Sequence, residues 1–277
     1  PKVLIVSGEK GIGKFTLINH FLVSIFDKDS YDFKVKSFKV DSSFYKQYLN
    51  NTFSNIIYLQ GDNFKNIKID DIRELKYLIL KSSFSNLERY IIFDNIENFN
   101  NNSLNALLRI IEEPLSNNNF ILINNKTKPL LKTIYSRCVD IKISLSEKKR
   151  VNIIKTLIEK DNLKTLINYE TVKISPGNFL IFNDICEKNS INLNDGFIKN
   201  LNIIIKLFKK NKDINLLNFI LFLNDLHFSK LFHEKPENLD KIFEDRFFVV
   251  NNMNKFISHN LNQNSFINAV NYQLSNE

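Results

Sequence analysis

Cysteine occurs only twice in the 277 residues, at positions 138 and 186, and no C-x-x-C pair is present. That scarcity argues against a metal-binding or disulfide framework, and no zinc is expected. No apolar run approaches the roughly 20 residues that cross a bilayer. The N-terminus lacks the basic stretch that precedes the apolar core of a secretory leader. No membrane partner is therefore expected, and the expected localisation is cytoplasmic. Internal repeats are missing too. The first residue is Pro1, not methionine, and stands just before an apolar run, which leaves room for residues upstream.

What remains is the composition of a soluble globular protein, 43% hydrophobic and 25% charged, with length for about two domains. Thirty-eight lysines and arginines against 30 acidic residues leave a net charge of +8. The excess permits contacts with a phosphate backbone. Lysine and asparagine are abundant throughout, however, together with isoleucine and phenylalanine, a bias that an AT-rich genome also produces. No basic stripe interleaved with aromatics, of the kind that stacks bases, stands out.

The most informative stretch is Val3 to Thr16, VLIVSGEKGIGKFT. A short apolar run breaks at Ser7-Gly8 into a loop with glycines at 8, 11 and 13, followed by Lys14. This matches the phosphate-binding pattern G-x-x-x-x-G-K-[ST] at all but its last position. Glycines allow backbone N–H groups to turn inward around phosphate oxygens, and the helix that follows offers its positive end. Lys14 would reach the outer phosphates. Phe15 stands where a magnesium-ligating hydroxyl belongs, and Thr16 comes one residue late.

Past the loop, Ile18, Phe21, Leu22 and Ile25 recur at helical spacing. Phe33 to Val40 and Asn55 to Gln60 read as short β-prone runs. Asp70 or Asp71 is placed to cap a helix bearing Ile72, Leu75 and Ile79. Tyr90 to Phe93 is a continuous apolar strand of the doubly buried kind, ending at Asp94. Asn100 suits the cap of a helix with Leu104, Leu107, Leu108 and Ile111 on one face, closed by Glu112-Glu113-Pro114. Phe120 to Ile123 and Asp140 to Ile143 are further strands. The alternation of strand and helix to Ile143 argues a parallel α/β sheet covered by helices. From Ser146 onward the pattern is helical, with breaks expected at Pro176-Gly177 and between Glu187 and Asp195.

Asp94 fits the Walker B position, where a strand-end carboxylate holds magnesium opposite the loop. The next residue is Asn95, whose amide is a poor proton acceptor, and Glu97 reads as a solvated or capping carboxylate. Tyr90 to Pro114, YIIFDNIENFNNNSLNALLRIIEEP, resembles the Walker B segment of bacterial DNA polymerase III clamp-loader subunits, members of the AAA+ class. Ser103 to Leu108 with Ile111 to Pro114 resembles the family's A-x-N-A-L-L-K-x-L-E-E-P. Leu130 to Cys138 resembles its L-L-P-T-I-x-S-R-C, and Ile69 to Leu75 its V-D-x-I-R-x-L. Asn260-Leu261-Asn262 and the following helix resemble the last collar helix. Within the family the delta prime type fits better than the ATP-hydrolysing gamma/tau type.

The resemblance implies a P-loop AAA+ domain over 1–145, a helical lid over 146–189 and a helical collar for oligomerisation over 190–277. It implies that Arg137, in Ser136-Arg137-Cys138, acts in trans as an arginine finger on ATP held by a neighbouring subunit, a task suited to a fixed guanidinium. Cys138 reads as a small buried hydrophobe. The nucleotide-binding positions are Gly8, Gly11, Gly13, Lys14, Thr16, Asp94 and Asn125, with Asn124 an alternative to Asn125 as a phosphate or water contact. Phe15, Asn95 and Asn178 (in Ser175-Pro176-Gly177-Asn178, which resembles S-P-G-R) are losses from one site while Arg137 remains. The expectation is a subunit that holds ATP or ADP without hydrolysis, if it holds either, and binds no metal of its own. Its implied partners are the gamma/tau and delta subunits in a hetero-oligomeric ring, the sliding clamp, and primed DNA through the complex. An active gamma/tau-type ATPase is the alternative. A P-loop GTPase or small-molecule kinase is disfavoured, since Lys128 replaces the guanine-reading aspartate in Asn125-Lys126-Thr127-Lys128 and the long helical C-terminal half has no place in that fold. The family's four-cysteine zinc module either folds here without metal or shrinks to Val40–Asn55.

Overall fold

A computed structural model of the chain describes residues 2–61, 67–80, 88–114, 117–259 and 261–275. Asn260, in the collar-helix resemblance, lies outside them. Two compact units emerge: residues 1–150 with 175–177, and residues 151–174 with 178–277.

The first unit is built on a five-stranded sheet of β1 (Val3–Ser7), β4 (Ile56–Gln60), β5 (Arg89–Asp94), β6 (Asn118–Asn124) and β7 (Val139–Lys142), in the order β4-β5-β6-β1-β7. Every pairing in it is parallel. Both faces are covered, which explains the unbroken apolar runs. On one face Ile5, Ile91, Phe93, Phe120 and Leu122 pack with helices α3 (Ile69–Leu80) and α4 (Asn101–Glu112). On the other, Val6, Tyr90, Ile92, Ile121 and Ile123 meet α1 (Lys14–Phe26) and α2 (Ser43–Leu49). The P-loop sheet with helices expected from the alternation is therefore present.

Register brings the strand ends level. Ser7 lies opposite Asn124, and Phe93 opposite Leu122, so the residues following β1, β5 and β6 emerge together at the C-terminal ends of the strands. Local sequence explains the elements that deliver them. Asn100 Oδ1 accepts the Ser103 N–H at 2.8 Å and starts α4 as a side-chain cap. Asp70 and Asp71 sit inside the first turn of α3 instead of capping it, and Asp71 reaches back to the Lys68 N–H at 2.7 Å. In α1 the buried stripe is Ile18, Leu22 and Val23, while Phe21 lies 39% exposed.

Phe33 to Val40 departs from the expected strand. Asp32 Oδ1 accepts from the N–H groups of Lys34 and Val35, and Lys36 adopts φ 55°, so the chain turns. The result is a small antiparallel hairpin of β2 (Tyr31–Asp32) and β3 (Ser37–Phe38). Val40 to Asn55, where the zinc module was in question, carries α2 and a cluster of rings. Phe44 lies 5.6 Å from Phe26 and 4.9 Å from Phe53, centroid to centroid.

The second unit is helical among its described residues. It holds most of α6 (Glu147–Asp161) and of α7 (Pro176–Lys188), then α8 (Phe197–Asn211), α9 (Ile214–Glu234), α10 (Leu239–His259) and α11 (Gln263–Ser275). One continuous apolar core joins them, from Ile154 through Phe179 and Phe219 to Val270. Pro176 opens α7, where its missing N–H costs nothing. No helix among the described residues is long and apolar enough to cross a membrane.

Candidate functional site

The loop after β1 is shaped by its glycines. A side chain at Gly8 would come within 2.5 Å of the Ile143 carbonyl oxygen, and Gly13 precedes α1 at φ 94°. The Gly8 N–H donates to the Asn124 carbonyl at 3.1 Å, pinning the loop to the end of β6. At Gly11 the carbonyl accepts the Gly177 N–H at 2.8 Å, a contact within the first unit, and a Cβ on Gly177 would lie 2.9 Å from the Gly11 Cα.

Lys14, only 3% exposed, turns back on the loop and donates from Nζ to the carbonyls of Gly8 (2.8 Å) and Glu9 (2.7 Å). Burial pulls its pKa down to about 8, against the opposing pull of Glu97, Asp94 and Glu9. Lys14 thus has carboxylates beside it and its donors directed at backbone carbonyls.

On the metal side the chain supplies its own partners. Phe15 meets the Tyr58 ring edge to face at 5.6 Å. The Tyr58 hydroxyl donates to Asp94 Oδ2 at 2.7 Å, and the Asn95 N–H donates to Oδ1 at 2.8 Å. Burial raises the Asp94 carboxyl above its ordinary range, partly offset by these two donors. Burial likewise raises the Tyr58 phenol, with the Asp94 charge adding to the effect. A magnesium ion would need an oxygen ligand where Phe15 has a ring, and an Asp94 oxygen released by Tyr58. The residues present do not fit magnesium. Thr16 is exposed on the first turn of α1, one position past that ligand's place.

Beyond Asp94 the chain enters a left-handed conformation at Asn95 (φ 52°) and a single 3-10 turn, Ile96–Asn98. This turn carries Glu97 inward, where it is 6% exposed and so a capping carboxylate, not a solvated one. Its carboxylate accepts the Asn125 N–H at 3.2 Å and the Thr127 hydroxyl at 2.9 Å. Asn125 Nδ2 donates to Asn95 Oδ1 at 2.5 Å, so the residue after β6 is tied to the residue after β5. Asn124 faces elsewhere, donating to the Tyr135 hydroxyl at 2.6 Å.

Gly8, Gly11, Gly13, Lys14, Asp94 and Asn125 are accordingly brought to one corner. Glu97 belongs to it as well, and so does Tyr58, which no sequence motif marks. Tyr58 is separated from Asp94 by 36 residues, and no local spacing signals the pair. Asn178 belongs to the second unit.

Arg137 stands apart from this corner. It follows α5 (Lys132–Tyr135), a single turn, and its side chain is 36% exposed. Nε and Nη2 both donate to Glu112 Oε1 at 2.6 Å, and Nη1 to the Thr133 carbonyl (3.0 Å) and Ser136 hydroxyl (3.2 Å). Cys138 is half-buried against the sheet core, and burial pushes its thiol up to about 11.

The family model described as "DNA polymerase III, delta subunit" matches residues 1–147. The DNA polymerase III subunit delta' of Buchnera aphidicola subsp. Schizaphis graminum is 31% identical over 153 residues, 55% of this chain and 44% of that protein. The DNA polymerase III subunit gamma of the same organism is also 31% identical, over 49% of this chain and 40% of that protein. The chain thus spans less than half the length of these curated relatives. A gamma subunit-related protein from Thermotoga maritima aligns over 99% of this chain and 87% of its own, at 18% identity and a TM-score of 0.43. With its family model covering more than half of the residues, the chain belongs to the DNA polymerase III delta-subunit family of clamp-loader proteins.

Proposed function

We propose that the chain is a delta prime-type clamp-loader subunit that hydrolyses no ATP itself and lends Arg137 to ATP bound on a neighbouring gamma/tau subunit. The observation that carries this reading is the Tyr58–Asp94 hydrogen bond beside Phe15. A magnesium ligand is missing and the acidic one is engaged by a phenol. Asn95 cannot serve as a base, and its amide oxygen is held by Asn125. Lys14 and the positive end of α1 still favour an anion, so ATP or ADP can sit at the loop without turnover. The guanidinium at Arg137 keeps a permanent charge at the surface. In a hetero-oligomeric ring with gamma/tau and delta subunits, that charge would reach the neighbour's phosphates during placement of the sliding clamp on primed DNA.

The test is Arg137→Ala in a loader reconstituted with its gamma/tau and delta partners. Hydrolysis stimulated by clamp and DNA should fall by roughly 10³-fold or more at the affected site, the scale of other arginine fingers. Unchanged hydrolysis removes the trans role. The equal identity to a gamma subunit motivates the alternative of an active ATPase. Turnover by the isolated chain, abolished by Lys14→Ala, would establish it; the reading here expects no turnover above background.

A further inference from the structure

The arginine proposed to act in trans is not a loose surface side chain. Glu112, the last residue of α4, and Thr133, in α5, grip it from two separate elements. Both donors on the Nε edge of the guanidinium converge on one carboxylate oxygen, and Nη1 is held by a backbone carbonyl and a hydroxyl. Among the described residues, the outward N–H of Nη2 is the one guanidinium donor given no partner.

We propose that Glu112 is a positioning residue for Arg137, fixing the plane and direction of the guanidinium before a neighbouring subunit arrives. The proposal rests on the trans reading above. An arginine side chain surrenders rotamer freedom when held in one geometry. Glu112 and Thr133 impose that order in the free subunit, so docking against a phosphate incurs less of it. The carboxylate is suited to this because charge-assisted bonds to a guanidinium edge are short and directional. The pair is 36% and 42% exposed, so its contribution to folding stability is small, and orientation is the larger consequence.

The experiment is ATP turnover by the reconstituted loader with Glu112→Ala, Glu112→Gln and Glu112→Asp, alongside Arg137→Ala. Glu112→Ala should lower kcat about tenfold with KM for ATP little changed, within the range that small misplacements cost. Glutamine keeps an acceptor oxygen at the same reach and should restore most of the rate. Aspartate, one methylene shorter, should behave like alanine while preserving the charge. In an Arg137→Ala background, Glu112→Ala should cause no further loss.

If Arg137→Ala lowers kcat and Glu112→Ala does not, Glu112 is an ordinary surface partner and the proposal fails while the trans reading stands. Should alanine and glutamine both raise kcat, Glu112 restrains the finger instead of aiming it, which also overturns the proposal. If Arg137→Ala itself changes nothing, the trans reading falls and the positioning role falls with it. Loss of rate that tracks loss of assembled complex, with kcat per complex unchanged, marks a structural role and is equally contrary.

Discussion

Lys14 carries the clearest consequence at the scale of a residue. Its ammonium is buried against two carbonyls, and burial lowers its pKa from 10.5 to about 8. Between these values the unfolded chain keeps the proton and the folded chain sheds it. Stability therefore rises as pH climbs through that window, by up to about 3 kcal/mol from this group. Replacing Lys14 by Met should remove the increment. In urea titrations the stability gap between the wild-type chain and Lys14→Met should shift in favour of the wild type between pH 7.5 and 10.5. A gap independent of pH would show that the lysine is not desolvated as described. Residue identity was legible here to a limited depth. The spacing of Gly8, Gly11, Gly13 and Lys14 marked the loop, and Phe15 and Asn95 marked its losses. That Lys14 would turn onto the loop's own backbone, and that Glu97 would be buried, depends on groups that arrive from other strands.

Among the elements, α4 links the two functional regions. Its N-terminus is capped by Asn100, which accepts the Ser103 N–H and donates from Nδ2 to the Ile67 carbonyl at 3.0 Å. Its C-terminal residue is Glu112, the partner of Arg137. Asn100→Ala should cost about 1 kcal/mol, since it removes a helix cap, while the Ile67 carbonyl keeps the Ser103 hydroxyl as a donor at 2.6 Å. Thermal denaturation checks it, and a cost under a few tenths of a kcal/mol would mean water replaces both bonds. Helical periodicity identified this element, its cap and most of its buried face from sequence, because those signals lie within a few residues of one another. The segment from Phe33 to Val40 was harder. Its β-prone composition is real, but Asp32 captures two N–H groups in succession, and a local turn overrides the propensity.

Considered as a whole, the molecule divides into a sheet-centred unit with apolar clusters on both faces and a helical unit with one core. Phe219, fully buried in α9, anchors the helical core against Phe182 at a 5.0 Å ring separation. Phe219→Ala should destabilise that unit by about 3–5 kcal/mol. Because the units have separate cores, the loss should appear in the helical signal at 222 nm at lower urea. The Lys14-dependent pH response, seated in the first unit, should persist; its disappearance would show the two cores to be coupled.

The sequence alone determined the phosphate-loop pattern, the alternation that makes a parallel sheet, the switch to helices, and the S-R-C and E-E-P segments that mark the family. All of these are encoded by spacing between near neighbours, which chain geometry converts directly into loop, strand or helix. Only the tertiary structure decided what each charged group meets. Tyr58 reaches Asp94 across 36 residues, Glu97 receives Asn125 across 28, and Arg137 meets Glu112 across 25. Each pair forms where strand register and helix ends bring distant segments together, a geometry that no local spacing specifies. The phosphate loop was readable as a motif; that its acidic partner is held by a phenol, and its candidate finger by a carboxylate, was not.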